Sequence, residues 1–136
     1  MVIDASALLA ILLGEPEAEE LSRSIASDPK RLVSALSALE ASIVIHGRKG
    51  PAGVRELDLL VHSMGATVVS LDAEQVLLAR SAYEKYGKGH HPAALNLGDC
   101  CSYALARSSG EPLLFKGNDF SKTDVAMAWP SPVYEP

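Results

Sequence analysis

The sequence predicts one α/β domain in which helices cover both faces of a mainly parallel central sheet of four to five strands, giving three α/β/α layers. The chain has 136 residues, which suffices for a single domain with its own hydrophobic core. Apolar residues make up 48% and charged residues 21%, as in a globular protein. Short apolar segments alternate with segments of helical periodicity, and this alternation favours right-handed crossovers between parallel strands. We therefore assign residues 1–136 to one domain.

The first half of the chain is predicted to supply two strands and four helices. It opens with an apolar run that ends in an acid, which is typical of a buried strand. The triplet Gly14-Glu15-Pro16 separates the first two helices, and the pair Gly50-Pro51 forms a turn between the last two. The strands are predicted at 1–4 and 31–35, and the helices at 6–13, 17–27, 37–47 and 54–63.

The second half of the chain is predicted to supply three strands and two helices. Residues 67–71 are largely β-branched and apolar, which favours a strand. Asp72 caps the next helix, which runs to about Tyr86 and is followed by a loop rich in Gly and His. The loop is predicted at 87–96, the last helix at 99–108, and the last two strands at 112–115 and 125–128.

Composition and charge argue against several classes of protein. The net charge of −5 disfavours a nucleic-acid binder that relies on bulk positive charge, although a metal site built of carboxylates would account for several of these charges. Cys100 and Cys101 are adjacent and match neither disulfide geometry nor a zinc-binding spacing, so we expect buried thiols in a reducing cytosol. No apolar run reaches the ~20 residues of a membrane span and no basic leader is present, so we expect a cytoplasmic protein.

Four acidic residues are predicted to meet at one edge of the sheet. In parallel α/β folds the carboxyl ends of the strands and the starts of the following helices share an edge, and ligands bind there. Two of the acids follow strands, and the other two lie in the first turns of helices. The four are Asp4, Glu40, Asp99 and Asp119.

Carboxylates gathered in this way indicate a divalent metal ion. They repel one another unless a cation lies between them. Oxygen ligands without Cys or convergent His favour Mg²⁺ or Mn²⁺ over Zn²⁺. Such an ion activates water for attack on a phosphodiester and neutralises charge on the phosphate. Ser6 and Asn96 are close in sequence to Asp4 and Asp99, and their side chains are expected to orient the groups around the ion.

Each acid also has a structural explanation. Asp4 is a candidate cap for the helix that follows it, and Asp99 suits the first turn of its helix. Glu40 completes a capping-box pattern that begins at Ser37. Asp119 suits a turn. The placement of all four at one edge favours a chemical site over four separate structural roles.

Four segments of the sequence resemble the PIN-domain ribonucleases, and more narrowly the VapC toxins of type II toxin–antitoxin systems. They are VIDASALLAILLGEPEAEEL, SALEASIVI, LNLGDCCSYALA and PLLFKGNDFSKTDV, in that order along nearly the whole chain. The resemblance implies a three-layer α/β/α fold and an endoribonuclease that depends on Mg²⁺ or Mn²⁺. It also implies a homodimer and a VapB-type antitoxin encoded beside the toxin.

The resemblance also assigns individual residues. The first three family acids fall on Asp4, Glu40 and Asp99, and the small hydroxyl residue after the first acid falls on Ser6. The fourth acid of many PIN domains stands three residues before a Phe, where this chain has Gly117. We therefore assign the fourth position to Asp119. Lys116 and Lys122 flank Asp119 in the sequence, and from this proximity we expect them to help balance its charge.

The function predicted from these residues is that of a toxin endoribonuclease. Asp4 and Asp99 are expected to ligate the metal directly, and Glu40 to position or deprotonate the attacking water. Asp119 would complete the acidic ring, with Ser6 and Asn96 in support, and cleavage would leave a 5′-phosphate and a 3′-hydroxyl. The alternative is a non-catalytic PIN-like scaffold that binds a partner or nucleic acid. A phosphatase or phospho-receiver is disfavoured because Asp4 is the only acid in its strand.

Overall fold

Five short parallel strands form the central sheet of the computed structural model, which describes residues 1–129. The sheet order is β3-β2-β1-β4-β5, so the first strand lies in the middle. This confirms the predicted α/β class with a parallel sheet, while residues 130–136 of the predicted domain lie outside the described residues. The strands are β1 (Val2–Ile3), β2 (Leu32–Ser34), β3 (Thr67–Val69), β4 (Leu113–Leu114) and β5 (Met127–Trp129).

Helices cover both faces of the sheet, as a three-layer fold requires. On one face, Leu8, Leu21 and Ile45 pack with Ile3 in one hydrophobic cluster. On the other face, Val2 packs in a second cluster with residues of the last two helices. Successive residues of a strand face opposite sides of the sheet, so the two-residue strand β1 contributes to both cores. The helices are α1 (Ala5–Leu12), α2 (Ala18–Ser27), α3 (Ala35–Ser63), α4 (Ala73–Tyr86) and α5 (Leu97–Ser109), with a 3₁₀ helix at Phe120–Lys122.

Helix α3 is longer than the two helices predicted in its place. The predicted interruption at Gly50-Pro51 is present as a kink, since Gly50 has φ 64° and ψ −158°, which are not helical. Residues 48–53 were predicted to lie between the two helices, but both halves of α3 extend up to the kink. In addition, α3 starts at Ala35 rather than at residue 37. The final strand is also displaced from its predicted place at 125–128 to Met127–Trp129.

The register of the sheet fixes what lies at its carboxyl edge. Val2 pairs with Leu32 in the neighbouring strand, which places Asp4, just beyond the end of β1, level with Ser34, the last residue of β2. Because β1 is the middle strand, Asp4 lies at the centre of this edge.

Cys100 and Cys101 are both buried free thiols. Burial, together with the nearby Asp99 carboxylate and the Cys101 thiol, raises the pKa of Cys100 to about 11, so this thiol stays protonated and unreactive at neutral pH. Within residues 1–129, none of the helices combines the length and the apolar character that crossing a bilayer would demand.

Candidate active site

Asp4 is held rigidly at the centre of the carboxyl edge. The side chain is only 3% exposed, since it follows the buried strand β1 and precedes the buried helix α1. As the N-cap of α1, its Oδ2 accepts a hydrogen bond from the Ser6 amide at 3.0 Å. Its Oδ1 accepts a second from the Ser102 hydroxyl at 2.5 Å. Each carboxylate oxygen therefore has one protein donor, which fixes the plane of the carboxylate.

Asp99 is fixed by the start of helix α5. Asn96 is the N-cap of this helix, and its Oδ1 accepts a hydrogen bond from the Asp99 amide at 2.9 Å. In return, Asp99 Oδ2 accepts one from the Asn96 amide at 3.0 Å, which completes a capping box. Asn96 thus orients Asp99. The Asp99 carboxylate is both a structural cap and a member of the acidic edge, the name used here for Asp4, Glu40, Asp99 and Asp119 at the carboxyl edge of the sheet.

Glu40 packs against the backbone of helix α5. It lies in the second turn of α3, and its carboxyl group covers the buried residue Gly98. A Cβ atom built on Gly98 would overlap this carboxyl group and stand 2.8 Å from its Cδ atom. The absence of a side chain at Gly98 therefore makes room for Glu40 next to Asp99.

The capping-box explanation of Glu40 is wrong. Helix α3 begins at Ala35 after Ser34, so Ser37 lies inside its first turn rather than at its cap. The Ser37 hydroxyl instead pairs with the Ser102 hydroxyl at 2.9 Å. Glu40 therefore has no partner at the start of its own helix, and its carboxyl group contacts a different element.

The segment after β4 carries the fourth acid. The Lys116 amide donates a hydrogen bond to Ser6 Oγ at 3.0 Å, which ties this segment to the start of α1. Asp119 is exposed just before the 3₁₀ helix. Gly117 has φ 101°, a conformation that disfavours any side chain, which is consistent with the absence of an acid at that position.

Lys116 does not balance the charge of Asp119, contrary to expectation. Its ammonium group forms ion pairs with Glu15 and Glu17 between α1 and α2. More generally, none of the ion pairs found within residues 1–129 includes one of the four acids of the carboxyl edge. The negative charge of the edge is therefore not offset by basic side chains of the described chain.

The electrostatics show that the four acids interact. Burial raises the pKa of Asp99 to about 7, the hydrogen bond with Asn96 opposes this rise, and the charges of Asp4, Asp119 and Glu40 add to it. Burial also raises the pKa of Glu40, again with a contribution from Asp4. The structure thus brings all four predicted acids to one edge. Within residues 1–129, however, no three His, Cys, Asp or Glu side chains are grouped closely enough to hold one ion together.

Ser37, Gly98 and Ser102 were not identified from the sequence as parts of this edge. Ser102 lies in the run CCSYALA, where its neighbours are buried and apolar. A polar residue on the buried side of a helix is the signal that was available for it. Gly98 precedes Asp99 directly, but its contact with Glu40 joins residues that are far apart in the sequence.

The raised pKa of Asp99 leads to a prediction about stability in the absence of metal. A carboxyl group whose pKa is higher in the folded than in the unfolded state stabilises the fold at low pH, and this contribution is lost as pH rises through the folded pKa. The thermal midpoint in EDTA is expected to fall by several degrees between about pH 5 and pH 8, because Asp99 ionises near pH 7. Differential scanning fluorimetry across this range measures the change.

Asp99→Asn is the control for this measurement, since the amide cannot ionise. The decline between pH 5 and pH 8 should become shallower in this variant. An equally steep decline in the variant would show that another group causes it. Added Mn²⁺ should raise the midpoint of the unsubstituted protein more at pH 8 than at pH 5, because protons compete with the ion for Asp99.

The fold and the acidic edge together define a PIN domain, and the sequence matches the PIN domain family over residues 1–126. The ribonuclease VapC of Mycolicibacterium smegmatis is 57% identical over 126 residues, which cover 93% of this chain and 98% of that protein. The chain therefore belongs to the PIN-domain family and, within it, to the VapC ribonucleases, which are toxins.

Solved structures agree on the fold. The crystal structure of Mycobacterium tuberculosis VapC20, a toxin that cleaves the sarcin-ricin loop, matches with a TM-score of 0.75 and 19% identity, covering 92% of this chain and 95% of that one. A toxin-antitoxin complex from Klebsiella pneumoniae matches with a TM-score of 0.69 and 17% identity, covering 90% and 92% of the two chains.

Proposed function

We propose that this VapC ribonuclease is a Mg²⁺- or Mn²⁺-dependent endoribonuclease that acts in the cytoplasm as the toxin of a type II toxin–antitoxin system. The observation that carries the proposal is the acidic edge. Four carboxylates interact there, none of them forms an ion pair within residues 1–129, and the pKa of Asp99 is raised to about 7. A cation bound among these carboxylates would neutralise their charge and favour the ionised form of Asp99, which burial and the neighbouring acids disfavour.

The donor set fits a hard divalent ion. All four side chains offer oxygen, and the Cys100 and Cys101 thiols are buried with their pKa values raised. Mg²⁺ usually takes one or two carboxylates directly and keeps several waters, which suits ligation by Asp4 and Asp99. An ion bound there would supply charge neutralisation at the phosphate and activation of water.

The remaining residues have roles that follow from their contacts. Glu40 lies against Gly98, next to Asp99, and its raised pKa suits a group that accepts a proton from the attacking water. Asn96 holds Asp99, and the Ser6 amide holds Asp4. Asp119 is exposed at the rim and adds negative charge near Asp99. Hydrolysis by water at this edge would leave a 5′-phosphate and a 3′-hydroxyl.

The proposal is tested with purified, antitoxin-free protein and total RNA in Mg²⁺ or Mn²⁺. Discrete cuts that disappear with EDTA, and whose ends map as 5′-phosphate and 3′-hydroxyl, would support it. Folded protein that binds Mn²⁺ in a calorimetric titration but cuts no RNA would contradict it. Folded protein that neither binds Mn²⁺ nor cuts would favour the alternative, a PIN-like scaffold that binds a partner or nucleic acid.

A VapB-type antitoxin is the proposed protein partner. The structural neighbour from Klebsiella pneumoniae is a toxin-antitoxin complex, which supports the same kind of partnership here. The acidic edge offers a matching chemistry, since carboxylates without a basic partner in residues 1–129 are suited to accept an arginine from another chain. An antitoxin side chain bound there would also obstruct access to the metal ligands.

A homodimer is proposed through an apolar surface beside the acidic edge. Ile43 of α3 is 65% exposed and Leu97 of α5 is 71% exposed, and both line a cavity of about 220 Å³ with Leu39 and Gly98. Large apolar side chains gathered at a surface mark protein interfaces. A partner chain bound at this surface would place two acidic edges near each other.

Ile43→Asp is expected to shift the protein from dimer to monomer. A buried, unpaired charge at an interface costs several kcal/mol, so the dimer dissociation constant should rise by at least about 10²-fold. Light scattering after size-exclusion chromatography measures the mass. Leu59→Asp is the matched control, because Leu59 lies on the other half of α3 and is 68% exposed. Equal dissociation in both variants would argue against this surface.

A further inference from the structure

A group of buried hydroxyls lies behind Asp4. Ser102 of α5 and Ser37 of α3 are fully buried, and their hydroxyl oxygens are 2.9 Å apart. Ser34 is also fully buried, at the end of β2 and level with Asp4. Buried polar side chains are rare in the core of residues 1–129. Among them, Ser102 contacts the Asp4 carboxylate and Ser37 contacts Ser102.

The number of protons on each group decides which one donates in the contacts of Ser37, Ser102 and Asp4. An ionised carboxylate has no proton to give, so the 2.5 Å contact requires Ser102 to donate to Asp4 Oδ1. A hydroxyl has only one proton, so Ser37 must be the donor in its contact with Ser102. The result is a directed chain from Ser37 through Ser102 to Asp4, in which each bond polarises the next.

We propose that Ser102, supported by Ser37, is a positioning residue that presents the Asp4 carboxylate to the divalent cation; this rests on the proposed metal-dependent function. The Ser6 amide holds Oδ2 from one side and the Ser102 hydroxyl holds Oδ1 from the other. A carboxylate held at both oxygens cannot turn about its last torsion, which is otherwise broad. Each oxygen keeps a further lone-pair direction that is open to a ligand.

The position of Ser102 makes the role specific. It is three residues after Asp99 on the same helix, so α5 carries one expected metal ligand and orients the other. Ser37 lies on α3, three residues before Glu40. The chain of hydroxyls therefore links the two helices that carry Glu40 and Asp99 to the strand that ends in Asp4.

The test is the affinity for Mn²⁺ of the full chain, measured by calorimetry and independent of RNA cleavage. Ser102→Ala is expected to weaken Mn²⁺ binding by about 10-fold, as for other residues that orient a metal ligand. Ser37→Ala should weaken it less, since Ser102 can still donate to Asp4. Ser102→Thr retains the hydroxyl and should restore most of the affinity. At saturating Mn²⁺ the cleavage rate of Ser102→Ala should return towards that of the unsubstituted protein.

Two controls separate orientation from packing. Ser34→Ala removes a hydroxyl at the level of Asp4 that has no hydrogen-bond partner in residues 1–129. Ser109→Ala removes one from the same helix as Ser102 that donates to backbone carbonyls instead. Both variants should bind Mn²⁺ as the unsubstituted protein does.

The outcomes distinguish this proposal from the function on which it rests. If the folded, unsubstituted protein binds no Mn²⁺, both fail. If it binds Mn²⁺ and Ser102→Ala binds equally well, only the role of Ser102 is overturned. A loss of thermal stability in Ser102→Ala without loss of affinity overturns it too, because the hydroxyl would then be structural. A loss in Ser34→Ala equal to that in Ser102→Ala also overturns it. The double variant Ser37→Ala with Ser102→Ala removes both hydroxyls of this pair, so neither is left buried without the other, and it provides the folded sample if Ser102→Ala alone is unstable.

Discussion

Asp99→Asn is expected to reduce RNA cleavage by about 10³-fold or more while leaving the fold intact. The change removes one negative charge from the acidic edge and one of the two proposed metal ligands. It keeps the shape of the side chain, and the amide oxygen of Asn can still accept the hydrogen bond from the Asn96 amide. The start of helix α5 should therefore be preserved. Initial rates of cleavage of a labelled RNA in Mg²⁺ or Mn²⁺ measure the effect.

Asp99→Asn is also expected to change the stability of the protein, which can be measured independently of cleavage. Because burial, together with repulsion from Asp4, Asp119 and Glu40, raises the pKa of Asp99, the neutral variant should be more stable than the unsubstituted protein in EDTA at pH 8. Asp58→Asn is a suitable control, since Asp58 is an exposed acid on the distal half of α3. Cleavage by Asp99→Asn at the rate of the control would refute the assignment of Asp99.

Gly98→Ala is expected to lower the cleavage rate by about 10²-fold without destabilising the protein. The new methyl group would occupy the space of the Glu40 carboxyl group, which is at the end of a flexible side chain and can turn away. Glu40 would then lose its place next to Asp99. Ala is a better helix former than Gly, by up to about 1 kcal/mol, so thermal stability should be unchanged or higher. Cleavage rates and thermal midpoints are measured on the same preparation.

Gly47→Ala is the matched control for this substitution. Gly47 also lies in a helix, and a Cβ atom there would meet nothing within 4 Å. The control should gain the same helix propensity and keep full activity. If Gly98→Ala cleaves RNA as fast as Gly47→Ala, the position of Glu40 against α5 does not matter for catalysis. If Gly98→Ala is strongly destabilised, the surrounding backbone rather than Glu40 absorbs the methyl group.

The order of strands and helices could be predicted because parallel strands in this fold are short apolar runs, and because Gly and Pro mark the interruptions. The segment at 67–71 shows this, since its β-branched run became strand β3. The kink at Gly50 lies where the interruption was predicted, but both halves of α3 are longer than predicted. Helix ends depend on capping and packing, and at Ala35 the start follows directly from the end of β2.

The acidic edge could be predicted because topology places strand ends and helix starts together, whatever the details of the side chains. The contacts that refine the edge could not. The hydroxyl of Ser102 meets Asp4 across 98 positions of sequence, and it meets Ser37 across 65. The ion pairs of Lys116 likewise depend on where the connection between α1 and α2 passes. The spacing of residues within one segment does not predict contacts between segments that are far apart in the sequence.

The amino ends of three helices help to stabilise the negative charge of the acidic edge. Asp4 caps the amino end of α1, Asp99 lies in the first turn of α5, and α3 begins after Ser34 at the same edge. The amino end of a helix carries a partial positive charge of roughly half an elementary charge, and each favourable approach of an anion contributes about 0.3–1 kcal/mol. The dipoles of three helices thus point their positive ends at the acids and partly offset the repulsion between them. We therefore expect the domain to fold without a bound cation, and the four acids to be already in place when a cation is added.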